Sequence, residues 1–178
     1  MLARSGEEVT SQFYGMSSFS RHSVVQVSSV AMKFTGPVEE AAKFVGCGCG
    51  FQTGAGTVLN VLKPQSDDVV VVFGLGGVGL SALMAAKFLG VEQIIGIDIA
   101  QERFALAREV GATTCINSRE VADVVAELMK VTGGAGVDFA IDCVGNTVVI
   151  EQMVRSLARC GYVDIGFSLL RRLLNPSG

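Results

Sequence analysis

The sequence predicts a doubly wound α/β fold built on a parallel sheet. Three observations carry that expectation. From Val69 onward, short apolar runs alternate with stretches of helical character. The helical stretches close on glycine, the residue that enters the left-handed region without strain. The first apolar run leads directly into a glycine-rich turn that opens a helix. Regular β–α alternation of this kind builds a sheet with helical crossovers.

The elements follow in order. The segment up to Arg21 is rich in Ser and Gly and shows no clear period. Ser23 to Phe34 is β-branched and alternating, which predicts a strand or two. Pro37 to Val45 predicts a short helix, with proline at its first position and Glu39 and Glu40 in its first turn. Gly46 to Gly54 is a turn-rich loop, and a second helix is expected from about Ala55 to Leu62, stopped by Pro64. Val69 to Phe73 is a buried strand. Gly77 to Leu89 is an apolar helix closed by Gly90, and Gln93 to Ile97 a second strand. A helix over Gln101 to Val110 closes at Gly111. Thr113 to Ile116 is the third strand and Glu120 to Val131 the third crossover helix. Val137 to Ile141, Val148 to Leu157 and Tyr162 to Ile165 complete the pattern as strand, helix and strand.

Composition bounds the function. Within 178 residues the hydrophobic share is 49% and the charged share 17%, which excludes a disordered chain. Mean hydropathy is high, at +0.49. Yet no stretch reaches the ~18 apolar residues that a membrane span needs. A fully covered parallel sheet explains the excess, as does surface that meets a partner or a further piece of chain. The net charge of −3 and the lack of a basic stripe argue against nucleic acid. The N-terminus lacks the apolar core of a signal peptide, which predicts a cytoplasmic protein. Five cysteines at irregular spacing are not a disulfide framework. Only Cys47 and Cys49 lie in a glycine-rich loop.

The chemistry-bearing motif is Gly74-Leu-Gly76-Gly77-Val78-Gly79. Alone, a G-x-G-x-x-G is weak. Here it follows an apolar strand, opens a helix, and precedes a second strand that ends in Asp98. Gly74 permits the tight turn. Gly76 lets a pyrophosphate approach the backbone, and Gly79 lets the helix pack close to the sheet. The helix N-terminus offers unpaired N–H groups and the positive dipole end to phosphates. Asp98, 19 residues after Gly79, is placed to accept ribose hydroxyls. It would repel a 2′-phosphate, which favours NAD over NADP. Arg103 could touch the same ribose or a phosphate. The bland alternatives are a ligand-free βα turn and an Asp98 that only caps the next helix. S-adenosylmethionine enzymes use similar glycine turns and acids, so they stand as a further alternative. Asp138 and Asp142, which flank the fourth strand, read as end caps.

Gly48-Cys49-Gly-Phe-Gln-Thr-Gly-Ala-Gly56, followed by Val72-Phe-Gly-Leu-Gly-Gly-Val-Gly-Leu80, closely resembles the zinc-type, medium-chain alcohol dehydrogenases. Phe13 to Ser20, Ile94 to Asp98, Glu109 to Thr113 and Val137 to Gly145 resemble them too. The Gln-Thr-Gly-Ala-Gly wording is most similar to the aryl- and benzyl-alcohol dehydrogenases. The resemblance runs from about residue 12 to Gly166. It implies a Rossmann-type NAD-binding domain over 46–166, preceded by the end of a GroES-like catalytic domain over 1–45. It implies that Cys49 is the third protein ligand of a catalytic zinc and that Thr53 packs against the nicotinamide. By the same match, Gly74, Gly76, Gly77 and Val78 hold the pyrophosphate, Asp98 and Arg103 the adenosine ribose, and Val144 and Ile165 the nicotinamide side. The implied chemistry is hydride transfer from a small alcohol to NAD, with zinc lowering the pKa of the alcohol.

Two departures qualify the resemblance. The family's first zinc ligand and the His-Glu motif of the second belong upstream of Phe13 and are missing, as is the cysteine-rich structural-zinc lobe. A catalytic zinc needs three protein ligands and one open position. Cys49 alone cannot hold it, and Cys47 is a poor second. His22, the one histidine, reads as a surface or packing residue. After Gly166 the resemblance stops, where the fold expects a sixth strand that pairs across the family's dimer contact. Leu169, Leu170, Leu173 and Leu174 in the 167–178 tail fall at helical spacing and could cover the open edge, although a foreign tail is the simpler reading. The expectation is therefore an incomplete alcohol dehydrogenase that carries mainly the cofactor half and has lost the homodimer or tetramer contact. The alternatives are an NAD-binding remnant without turnover and, more weakly, an S-adenosylmethionine-binding domain.

Overall fold

The computed structural model describes residues 22, 25–30 and 33–165. The expectations for 12–21 and for the leucines of the 167–178 tail lie outside the described residues. The chain divides into two compact units, one ending at Lys43 and one beginning at Phe44.

In the first unit, the described part of the segment expected as strand contains only a 3-10 turn, Val27–Ser29. Val25, Val27 and Val30 are exposed. β-branched alternation makes a strand only where a neighbouring strand and a covered face exist to receive it. Helix α1, Val38–Phe44, forms as expected, with Glu39 and Glu40 in its first turn and Lys43 in its last. All three charges complement the helix dipole.

The second unit is a five-stranded parallel sheet in the order β3-β2-β1-β4-β5. Its strands are β1 (Val69–Phe73), β2 (Gln93–Asp98), β3 (Thr114–Asn117), β4 (Val137–Asp142) and β5 (Leu157–Ile165). Helices α3 (Gly77–Phe88), α4 (Phe104–Val110), α5 (Val124–Val131) and α6 (Thr147–Ser156) make the crossovers. This is the predicted doubly wound Rossmann architecture. The central strand shows why its sequence is almost pure valine. Val70 and Val72 face a core shared with Leu83 and Ala86 of α3 and Ala107 of α4. Val71 and Phe73 face the opposite core, with Leu128 of α5 and Met153 of α6. Val70, Val71 and Val72 are fully buried, worth about 1.5–3 kcal/mol apiece.

Three elements depart from the sequence reading. The loop Gly46 to Gly54 is instead a 3-10 turn, Val45–Gly48, followed by helix α2, Gly50–Gly56, which continues as a π-helical turn through Thr57–Leu62. Glycine propensity argues against a helix, but tertiary packing overrides it. A Cβ on Gly54 would collide with the Val78 carbonyl oxygen of α3, so α2 can lie this close only where it is glycine. Helix α5 starts later than expected, because Asp123 caps it by accepting hydrogen bonds from the N–H groups of Val125 and Ala126. Strand β5 starts earlier. Val137 pairs with Leu157 and Phe139 with Tyr162, so a bulge absorbs the residues between, which interrupts the alternation that sequence reading relies on. Among the described residues, no helix is long and apolar enough to cross a membrane.

Candidate functional site

The C-terminal ends of β1, β2 and β4 open into a cleft of about 270 Å³, lined among others by Gly74, Gly76, Asp98, Arg103 and Val144. Cofactor sites in open α/β sheets sit at this end, where the strand order reverses. Strand β1 lies at that reversal here.

The turn out of β1 is held from both sides. Gly74 takes φ +93°, a region that side chains disfavour, and its N–H donates to the Ile97 carbonyl at 2.8 Å. The Leu75 N–H donates to Asp98 Oδ2 at 2.6 Å. Gly76 then caps α3 with extended backbone and offers no side chain to accept from the first amides of the helix. A Cβ at Gly76 would meet nothing within 4 Å, whereas one at Gly79 would run into the Gly74 carbonyl oxygen. The two glycines therefore serve different ends. Gly79 is required by packing. Gly76 leaves open space in front of a helix N-terminus, a place suited to an anion. Gly77 is exposed and Val78 half-buried beside it.

Asp98 ends β2 with its side chain only 4% exposed. Burial would raise its pKa. The hydrogen bonds from the Leu75 and Ala100 N–H groups, and then the Arg103 guanidinium, outweigh burial and hold the carboxyl below its usual value. Oδ1 accepts from Ala100 at 2.9 Å and Oδ2 from Arg103 Nη1 at 3.0 Å. Asp98 thus accepts from the backbone that follows it, while the next helical turn, Gln101–Arg103, has no side-chain cap. It also faces the cleft as an anion, with the half-exposed Arg103 beside it.

The other expected residues fall into two groups. Val144 lines the cleft and is half-exposed. Ile165 ends β5, paired with Asp142. Asp142 accepts from the Val144 and Gly145 N–H groups, and Asp138 from the Val69 N–H, so both act structurally as expected. Thr53 and Cys49 sit apart from this cleft lining, on and just before α2. The Thr53 hydroxyl donates to the Cys49 carbonyl at 2.8 Å, and the Cys49 thiol is exposed. Among the described residues, no group of three or more His, Cys, Asp or Glu side chains could hold a metal ion. The described residues therefore do not fit a catalytic zinc, which takes three protein ligands.

Sequence reading missed Ser118, Cys143, Val149 and Gln152, which also line the cleft. Each follows the end of a strand or faces inward from the first turns of α6, so the usable signal was position relative to the strand ends. It also missed a larger groove of about 570 Å³ over α2, α3 and α4, lined by Phe51, Leu59, Met84 and Phe88. Its one polar side chain, Ser81, already donates to the Val78 carbonyl, so the groove holds no group suited to chemistry.

Residues 77–165, half of the chain, match the family model of the zinc-binding dehydrogenases. Among solved structures, the chain is similar to an alcohol dehydrogenase zinc-binding domain protein from Burkholderia ambifaria. Identity there is 45% and the TM-score 0.65, over 67% of this chain and 32% of that one. It is also similar to the benzyl alcohol dehydrogenase of Acinetobacter calcoaceticus, at 38% identity and TM-score 0.64, over 74% of this chain and 38% of that one. A third is the 2R,3R-butanediol dehydrogenase of Bacillus subtilis, at 32% identity and TM-score 0.60, over 65% of this chain and 33% of that one. The chain thus spans roughly a third of the length of these relatives. A switch-point sheet that carries this glycine turn, matched across β1's crossover helix and everything to the end of β5, makes the chain a member of the zinc-binding dehydrogenase family.

Proposed function

We propose that the chain binds NAD(H) and represents the cofactor-binding half of a zinc-type alcohol dehydrogenase that oxidises a primary, aryl- or benzyl-type alcohol. The observation that carries this reading is the pairing of an open Gly76 with an anionic Asp98 in one cleft. A Cβ at Gly76 would fill the space that a pyrophosphate needs, and the buried carboxylate supplies the acceptor that ribose hydroxyls need. Similarity to a benzyl alcohol dehydrogenase supports the substrate class.

In this reading Gly74, Gly76, Gly77 and Val78 would hold the pyrophosphate through backbone amides and the α3 dipole. Gly79 keeps that helix seated. Asp98 would accept the adenosine ribose hydroxyls, with Arg103 alongside, and would disfavour the 2′-phosphate of NADP. Thr53, Val144 and Ile165 would border the nicotinamide, which when bound supplies the hydride acceptor. Cys49 would contribute one thiolate to a zinc site. Its other ligands are not among the described residues. The polypeptide alone is expected to bind cofactor with little or no turnover.

The test is a fluorescence titration of NADH and NADPH into the purified chain, which has no Trp to interfere. Saturable binding with NADH preferred supports the reading. Equal or tighter NADPH binding removes the role given to Asp98, and binding of S-adenosylmethionine instead would replace the cofactor. Benzyl alcohol oxidation at ordinary dehydrogenase rates with added zinc would show that the chain is more than a cofactor half.

A further inference from the structure

The five thiols occupy three kinds of environment. Cys115 and Cys143 are part-buried. Burial raises the Cys115 pKa against the opposing pull of Arg108. Burial, with Asp142 and Asp164 nearby, pushes Cys143 up to about 12. Both shifts favour the protonated thiol, which is the poorer nucleophile. Cys160 is exposed on β5, with no second cysteine near it in sequence. Cys47 and Cys49 are both exposed, with only Gly48 between them.

The backbone around this pair is a short turn. Cys47 belongs to the 3-10 turn Val45–Gly48, and Cys49 leaves helical geometry at φ −145°, ψ −75° before α2 begins. Residues two apart in a 3-10 turn have Cα atoms roughly 5–6 Å apart. That separation falls within the range disulfides use, about 4.4–6.8 Å. Side chains two apart leave a helical turn in different directions, so bringing the sulfurs together requires rotation at the intervening residue. That residue is glycine, and a Cβ placed on it would meet nothing within 4 Å. Glycine reaches backbone conformations closed to other residues, so the rotation is available at this position.

We propose that Cys47 and Cys49 form a reactive dithiol that closes to an intrachain disulfide by exchange with a low-molecular-weight disulfide of the glutathione class. One thiolate of the pair attacks a sulfur of oxidised glutathione. The glutathione S–S bond breaks, a protein–glutathione mixed disulfide forms, and one reduced glutathione leaves. The second thiolate then attacks the protein sulfur of that mixed disulfide and releases the second glutathione. Two electrons pass from the protein to glutathione disulfide, and the two thiol protons end on the two glutathiones. The ring consumes the thiolate of Cys49, so oxidation and metal ligation at this loop exclude one another. The proposal stands whether or not the chain binds NAD(H).

The test exposes the full chain to oxidised glutathione, quenches with acid, and reads free thiols in denaturant together with peptide masses. The expected result is a peptide containing Cys47 and Cys49 that has lost two hydrogens and carries no glutathione, while Cys160 carries a stable mixed disulfide. The variant C47S should instead stop with glutathione on Cys49, and C160S should still form the ring. The proposal is overturned if, once Cys160 or an added single-cysteine peptide is fully converted, Cys47 and Cys49 remain free or both stop at mixed disulfides. It is equally overturned if C47S and the wild-type chain give the same product at Cys49.

Discussion

The glycine turn with Asp98 and the loop that carries Cys49 differ in completeness. The turn is closed within itself: the Gly74 N–H donates to the Ile97 carbonyl, and the Asp98 carboxylate accepts from Leu75, Ala100 and Arg103. Every participant lies between β1 and the turn after β2. The Cys49 thiol, in contrast, is exposed and stands in no group of three or more His, Cys, Asp or Glu side chains that could hold a metal, among the described residues. A phosphate site made of amides and a dipole is local in sequence, so a short segment carries it whole. A metal site is assembled from distant side chains, so a single ligand conveys only a fraction of it.

The largest effect that would sharpen this contrast is at Gly79. A side chain there meets the Gly74 carbonyl oxygen and Val72, both part of the turn and strand that would have to move. Gly79→Val should cost about 3 kcal/mol or more, a large share of a domain's marginal stability. Denaturant unfolding should show the loss even without cofactor. A variant with wild-type stability would mean that the turn is looser than its hydrogen bonds indicate.

Next in size is Gly76→Ala, which separates binding from folding. Gly76 has φ −79°, a conformation alanine adopts freely, and its Cβ would meet nothing. Stability should be unchanged or slightly raised. NADH affinity should fall at least about tenfold, equivalent to about 1.4 kcal/mol, because the methyl group occupies the proposed pyrophosphate path. If NADH binds this variant as it binds the wild type, the cofactor does not lie on the turn.

How much of this was legible in the sequence follows the same division. The β–α alternation, the glycine turn and Asp98 could be read because period, turn residue and charge are local signals. The first turn of α2 reads as loop because Gly50 and Gly54 have poor helix propensity, and the α3 surface that demands glycine at position 54 cannot be seen from α2 alone. The start of β5 was missed because a bulge breaks its alternation. Ser118 and Gln152 were missed because their place in the cleft depends on which strand ends neighbour one another.

Asp98→Asn probes the charge within the complete half, and its effect should depend on pH. The folded-state carboxyl lies below its ordinary value, so its contribution is fully present above the unfolded pKa, about 3.9. That contribution is lost as pH falls through the lower folded value. At neutral pH the amide would turn a donor toward Leu75 or Arg103, costing about 1–3 kcal/mol. The stability gap between wild type and variant should therefore be constant from pH 7 down to about 5 and shrink below about 4. A gap that stayed constant into strong acid would remove the charge from the account and leave only shape.

The smallest expected effect is at the incomplete half. The Cys49 thiol is exposed and makes no side-chain hydrogen bond that supports α2, because Thr53 uses the carbonyl of Cys49 rather than its sulfur. Cys49→Ser should therefore change stability by no more than about 0.5 kcal/mol, and NADH affinity not at all. Stoichiometric zinc should shift the melting temperature of neither the reduced wild type nor the variant, since Cys49, even with Cys47 beside it, falls short of the three protein ligands that such a site needs. A zinc-dependent rise in the wild type that Cys49→Ser abolishes would break the contrast, because further ligands from this chain would then have to gather around Cys49.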